Sequence, residues 1–130
     1  MPDPIVWLVD DDGDLRPALV QSLQLAGFEV RGFSDGAKLV AALANAMPSL
    51  VVSDIRMPKM DGLELLESIQ RIEPRLPVIL MTGHADVALA VKAMQSGASD
   101  FVEKPFEMDR LCQAIGAVLS GHVEYEVQLF

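Results

Sequence analysis

Short apolar runs alternate along this chain with longer stretches of helical spacing, and that alternation leaves few architectures open. The strand-like runs are residues 5–9, 28–33, 50–53, 78–81 and 101–103. The first, third and fourth are almost continuously apolar, as expected of parallel strands covered on both faces. The second alternates, with Phe28, Val30 and Phe33 around Glu29 and Arg31, which suits a sheet edge. Between the runs, apolar residues recur at three- and four-residue spacing. Leu15, Leu19, Val20 and Leu23 form one such face, and Gly27 stops it. Leu39, Val40 and Leu43 form a second, with Ser34 as its expected N-cap and Pro48 beyond it. A third helix carries Leu65, Leu66, Ile69 and Ile72, capped by Asp61. A fourth carries Leu89, Ala90, Ala93 and Met94, with Asp86 as expected cap and Gly97 at its end. A fifth carries Leu111, Ile115, Val118 and Leu119. Five β-α units in succession predict an α/β fold, a doubly wound parallel sheet with five helices on its two faces. Five strands suit the flavodoxin-like order 2-1-3-4-5.

The tail departs from this pattern. Val123, Tyr125, Val127 and Leu129 alternate with Glu124, Glu126 and Gln128. Period two predicts an extended strip over 122–130, an extra edge strand or the start of a linker, rather than a sixth helix.

Composition narrows the function. The chain has 130 residues, one domain by length. Nineteen acidic residues against ten Lys and Arg give a formal charge of −9. That balance argues against nucleic-acid binding, whose affinity comes from cations on phosphates, and against docking on anionic membranes. The single Cys112 excludes an intrachain disulfide and a cysteine zinc site. It reads as a small buried hydrophobe beside Leu111 and Ile115. No apolar run approaches the roughly 18 residues of a spanning helix, and the first residues lack a basic signal-peptide region. A reduced, cytoplasmic setting is expected.

In open parallel sheets, ligands bind outside the carboxyl ends of the strands. The first strand ends in Asp10, Asp11 and Asp12, the third in Asp54, the fourth in Thr82 and the fifth in Lys104 followed by Pro105. The second ends in Phe33 and Ser34, without a comparable group. Taken singly, each Asp reads as a cap or turn residue, and Asp12 and Asp14 are expected to cap the first helix. Taken together, they converge on one edge. Carboxylates held close raise one another's pKa unless a cation intervenes. Oxygen donors without His or Cys select a hard ion, and Mg²⁺ is the expected one. Carboxylates with a divalent cation, a lysine and a hydroxyl make a site for a phosphoryl group.

These residues sit in four motifs that resemble the receiver domain of bacterial two-component response regulators. They are VWLVDDDGDLR at 6–16, VVSDIRMPKMDGLELL at 51–66, VILMTGHAD at 78–86 and GASDFVEKPF at 97–106. The run from Met81 to Phe106 is most similar to the receivers of NtrC- and DctD-type transcriptional activators, with the FixJ type close behind. The resemblance implies a phosphorylation-activated switch rather than an enzyme acting on other molecules. Asp54 would accept the phosphoryl group from a partner histidine kinase. Asp10, Asp11 and Asp54, with the backbone carbonyl of Arg56, would hold Mg²⁺. Thr82 and Lys104 would contact the phosphoryl group, and Phe101 stands at the family's switch aromatic. The Lys104–Pro105 bond is expected to be cis. The surface of the fourth helix, fifth strand and fifth helix would then change shape, control a transcriptional output and pair two copies. The receiver would end near residue 121, with an output domain beyond.

One rival belongs to another class. VDDDGDL also resembles the first motif of haloacid-dehalogenase-type phosphohydrolases, with Asp10 as nucleophile and Asp12 as general acid/base. That reading leaves SDIRMPKMDG and the Lys-Pro-Phe run without a role. A calcium-loop reading fails on spacing, because it puts Leu15 where a glycine is needed and Gln21 where a bidentate Glu is needed. His84 at the rim of the site reads as an exposed loop histidine.

Overall fold

Five parallel strands form one sheet in the order β2-β1-β3-β4-β5. The computed structural model of the protein describes residues 3–128, with residues 122–128 as backbone alone. Its strands are β1 (Ile5–Val9), β2 (Glu29–Phe33), β3 (Leu50–Asp54), β4 (Val78–Thr82) and β5 (Asp100–Glu103). The helices are α1 (Leu15–Leu25), α2 (Gly36–Ala42), α3 (Gly62–Ile72), α4 (Val87–Gln95) and α5 (Met108–Gln128). A single 3₁₀ turn, His84–Asp86, leads into α4. The flavodoxin-like architecture read from the alternating pattern is the one observed.

The sheet divides two apolar layers. On one face Val9, Val51, Ile55 and Leu80 pack with Leu39 of α2, Leu65 and Ile69 of α3, and Ala90 and Ala93 of α4. On the other, Leu8, Val52, Ile79 and Met81 pack with Leu19 and Leu23 of α1 and Leu111 and Ile115 of α5. β3 and β4 are buried along their whole length, which is why their sequences lack alternation. Edge strand β2 buries only Phe33 fully. Trp7 and Phe33 pack with ring centroids 5.1 Å apart. The Arg31 guanidinium lies 4.7 Å from the Phe33 ring and 5.5 Å from Trp7, covering the edge with a cation–π contact.

Helix ends correct several sequence expectations. Asp35, not Ser34, caps α2, accepting a hydrogen bond from the Lys38 N–H at 2.8 Å. Ser34 Oγ instead accepts from Lys38 Nζ. At α1 the Asp12 carboxylate accepts from the N–H groups of Asp14 and Leu15, while Asp14 makes no side-chain cap. Asp61 does cap α3, in a reciprocal capping box with Glu64. Asp86 stands at the start of α4 but makes no capping bond. Gly97 (φ +115°) and Gly27 (φ +103°) end α4 and α1 in a conformation that L side chains rarely adopt.

The extended tail is also corrected: α5 runs as continuous helix through Gln128. Each added helical residue gains a backbone bond within its own segment, whereas an extended strip needs a strand to pair with. The edges β2 and β5 pair only with β1 and β4 among the described residues. Leu129, the last residue of the alternation, lies outside them. Cys112 is half-buried rather than buried, and desolvation raises its thiol pKa.

Candidate functional site

Sheet register brings the polar strand ends together. Val9 of β1 stands beside Ser53 of β3, so the next residues, Asp10 and Asp54, are neighbours. Asp54 stands beside Met81 of β4, and Thr82 beside Glu103 of β5, so Thr82 and Lys104 flank Asp54 from the other side. A parallel sheet delivers four strands' C-terminal residues to one edge, and that geometry creates the cluster.

Asp54 is nearly buried. Its Oδ2 accepts a hydrogen bond from Lys104 Nζ at 3.1 Å, and its Oδ1 faces the backbone N–H of Arg56 at 3.4 Å. Carboxylate oxygens of Asp10, Asp11 and Asp54 lie within 4.8 Å of one another. Asp10 is fully buried. Its Oδ1 accepts from the Asp12 N–H at 2.9 Å, but its Oδ2 has no hydrogen-bond partner. Burial raises the Asp10 pKa, and Asp54 and Asp11 push it the same way against the Asp12 N–H and Lys104. A buried, orphaned carboxylate oxygen beside two further carboxylates is a donor set suited to a hard divalent cation.

Thr82 is buried, and its hydroxyl donates to the Gly83 carbonyl at 3.1 Å rather than to Asp54. The Lys104–Pro105 peptide bond is cis, and the Lys104 N–H donates to Thr82 O at 2.7 Å. Phe101 is half-buried against the core layer that contains Leu80. Beside it a groove of about 420 Å³ runs past Glu103, Phe106 and Arg110.

The loop after β3 is tightly constrained. Lys59 has a positive φ of 69°, and the Met60 N–H donates to Pro58 O at 2.8 Å, closing a three-residue turn. Gly62 follows, where an added Cβ would lie 2.8 Å from Ile55 Cα and 2.9 Å from Asp54 O. Only glycine lets α3 begin this close to the backbone of the phosphoacceptor candidate.

Two side-chain contacts at the rim, one an ion pair and one a histidine–carboxylate hydrogen bond, had no local signal in the sequence. Arg56 Nη2 meets Asp86 Oδ1 at 2.6 Å, joining the loop after β3 to the start of α4. His84 Nδ1 meets Glu103 Oε1 at 3.0 Å, joining the turn after β4 to β5. Their partners stand 30 and 19 residues apart, so only the expected adjacency of the strand-end loops could have suggested them.

The response regulator receiver domain family matches residues 6–116, most of the chain. The chain is a response regulator receiver domain. This receiver is 51% identical over 111 residues to the C4-dicarboxylate transport transcriptional regulatory protein DctD of Rhizobium meliloti (strain 1021), covering 85% of this chain and 24% of that protein. It is 44% identical over 122 residues to the DNA-binding transcriptional regulator NtrC of Escherichia coli (strain K12), covering 94% of this chain and 26% of that one. Among solved structures, the FixJ-N crystal structure superposes with a TM-score of 0.86 at 38% identity, covering 92% of this chain and 96% of that one. The receiver thus spans about a quarter of the length of DctD and NtrC.

The phosphohydrolase alternative finds no support. The carboxylate of Asp12, its required acid/base, is tied to the backbone N–H groups of Leu15 and Asp14, which lower its pKa. A group held ionised in this way is a poor proton donor. Among the described residues, no helix is long and apolar enough to cross a membrane.

Proposed function

We propose that this receiver is a phosphorylation-activated switch with Asp54 as phosphoacceptor, taking its phosphoryl group from a sensor histidine kinase. The observation that carries the reading is the surroundings of Asp54: a lysine on one oxygen and the unpartnered Asp10 oxygen nearby. An Asp54 oxygen attacks the phosphorus of a phosphohistidine. The O–P bond forms as the N–P bond breaks, and the imidazole keeps the electron pair and takes up a proton.

Lys104 moves from the Asp54 carboxylate to a phosphoryl oxygen, conserving its charge pairing. The Thr82 hydroxyl turns from Gly83 O to donate to another. Asp10, Asp11, Asp54 and the Arg56 carbonyl would hold Mg²⁺. When bound, the ion neutralises charge on the transferring group. Once Thr82 moves, space opens behind it, and Phe101 rotates from half-buried to buried. The α4–β5–α5 surface then changes and two copies pair through it. The protein's own chemistry is confined to taking up this group and losing it to water. Residues 122–130 lead from the receiver toward an output domain that controls transcription.

Peptide mapping by mass after treatment with acetyl phosphate and Mg²⁺ tests the core of this reading. One added phosphoryl group on Asp54 is expected, and Asp54→Asn should take up none. Label on Asp10, or rapid turnover of a phosphomonoester, would overturn it.

A further inference from the structure

Asp86 occupies the position from which an aspartate ordinarily caps a helix, yet its carboxylate makes no bond to α4. It reaches instead to Arg56 in the loop after Asp54, at 2.6 Å. The side chains are 66% and 19% exposed, so this is a surface pair of modest strength, open to competition. The guanidinium holds the Asp86 carboxyl pKa below its ordinary value. The Asp86 backbone (φ −110°, ψ 13°) closes the 3₁₀ turn His84–Asp86 rather than taking the extended form of a capping residue. The other end of α4 is tied separately: Gln70 Nε2 of α3 donates to Ser96 O at 2.7 Å. α4 is therefore held at one end by the loop after β3, through an ionic contact, and at the other by α3, through a neutral one.

We propose that Asp86 is a two-position switch residue that clamps α4 to Arg56 in the resting receiver and caps α4 when the clamp opens. The trigger rests on the Asp54 reading above. The Arg56 backbone N–H faces Asp54 Oδ1, so the residue stands beside the phosphoacceptor. A phosphoryl group there carries about 1.5 to 2 negative charges and three acceptor oxygens, and it competes for the exposed guanidinium against a single carboxylate. Released, Asp86 becomes extended, its carboxylate accepts from the N–H groups of Ala88 or Leu89, and the 3₁₀ turn unwinds. α4 then pivots about its Gln70-held end. The switch has two discrete arrangements, each with the carboxylate satisfied, as a bistable element requires.

Two substitutions separate the roles. Asp86→Ser can cap but cannot pair with Arg56, and Asp86→Ala can do neither. Hydrogen exchange in the 130-residue chain, without phosphodonor, reads the result at residues 83–90. Asp86→Ser should exchange roughly two- to five-fold faster at 83–86 and more slowly at 87–90. Asp86→Ala should exchange faster at both, with α1 unchanged in either variant. Added salt should speed exchange at 83–86 in the parent protein only, because only it has an ion pair to screen. The parent treated with acetyl phosphate and Mg²⁺ should adopt the Asp86→Ser pattern. Parent-like exchange in Asp86→Ser would overturn the clamp. So would a parent that carries the phosphoryl group on Asp54 by mass yet keeps its resting pattern. A parent that takes up no phosphoryl group would instead overturn the Asp54 reading, while the unphosphorylated comparison still decides the clamp.

Discussion

A carboxyl group with one oxygen buried and unpartnered resists ionisation, and Asp10 is in that position. Its folded pKa lies above the ordinary value of 3.8, so between these values the folded protein holds a proton that the unfolded chain has released. Stability from this group is therefore full below the unfolded pKa and falls as pH rises through the folded one. Asp10→Asn should stabilise the metal-free protein at neutral pH by about 1 kcal/mol and remove this component of the pH dependence. Denaturant melts of both proteins from pH 4 to 7 in EDTA check this. Mg²⁺ should raise the Tm of the parent by mass action and that of Asp10→Asn much less. Gly62 makes a second residue-scale case. A methyl group there meets backbone on two sides, where no side-chain rotation gives relief, so Gly62→Ala should cost about 2–4 kcal/mol in a urea melt. The sequence shows Asp10 as a candidate because it ends a strand. It does not show that Oδ2 is orphaned, because that depends on which donors the folded loops bring near.

Elements were most legible where one physical cause acts alone. The apolar runs of β1, β3 and β4 coincide with buried strands because both faces of each are covered. Asp61 reads correctly as a cap because Glu64 completes the box within the same turn. Asp61→Ala should therefore lower stability by about 1 kcal/mol in thermal or denaturant melts, with phosphoryl uptake at Asp54 retained. Asp86 has the same local credentials but a competing cation 30 residues away, which local pattern cannot register. Ser34 lost its expected role to an adjacent aspartate, a one-residue choice decided by backbone angles at the end of β2. The tail shows the opposite failure, a real period-two pattern that is taken up into helix α5 and pairs with neither edge strand among the described residues.

At the scale of the molecule, the site was legible because topology and strand ends act together. A parallel sheet in this order must gather Asp10, Asp54, Thr82 and Lys104 at one edge, whatever their separation in sequence. The β5 flank of the sheet, next to that edge, carries the surface through which we expect two copies to pair. There Val91 of α4 and Leu119 of α5 are exposed, and Phe101 borders a groove with Arg110. Sedimentation should show association of the chain with acetyl phosphate and Mg²⁺. Phe101→Ala should keep the phosphoryl group by mass yet remain monomeric; unchanged association would remove Phe101 from the switch. The edge stack of Trp7, Phe33 and Arg31 has a practical consequence as well. Trp7 is the protein's sole indole, fully packed three residues before Asp10, and the Phe33 carbonyl beside it accepts the Asp10 N–H. Its emission should be blue-shifted and should respond to rearrangement at the end of β1, giving an unlabelled optical signal from beneath the acidic pocket.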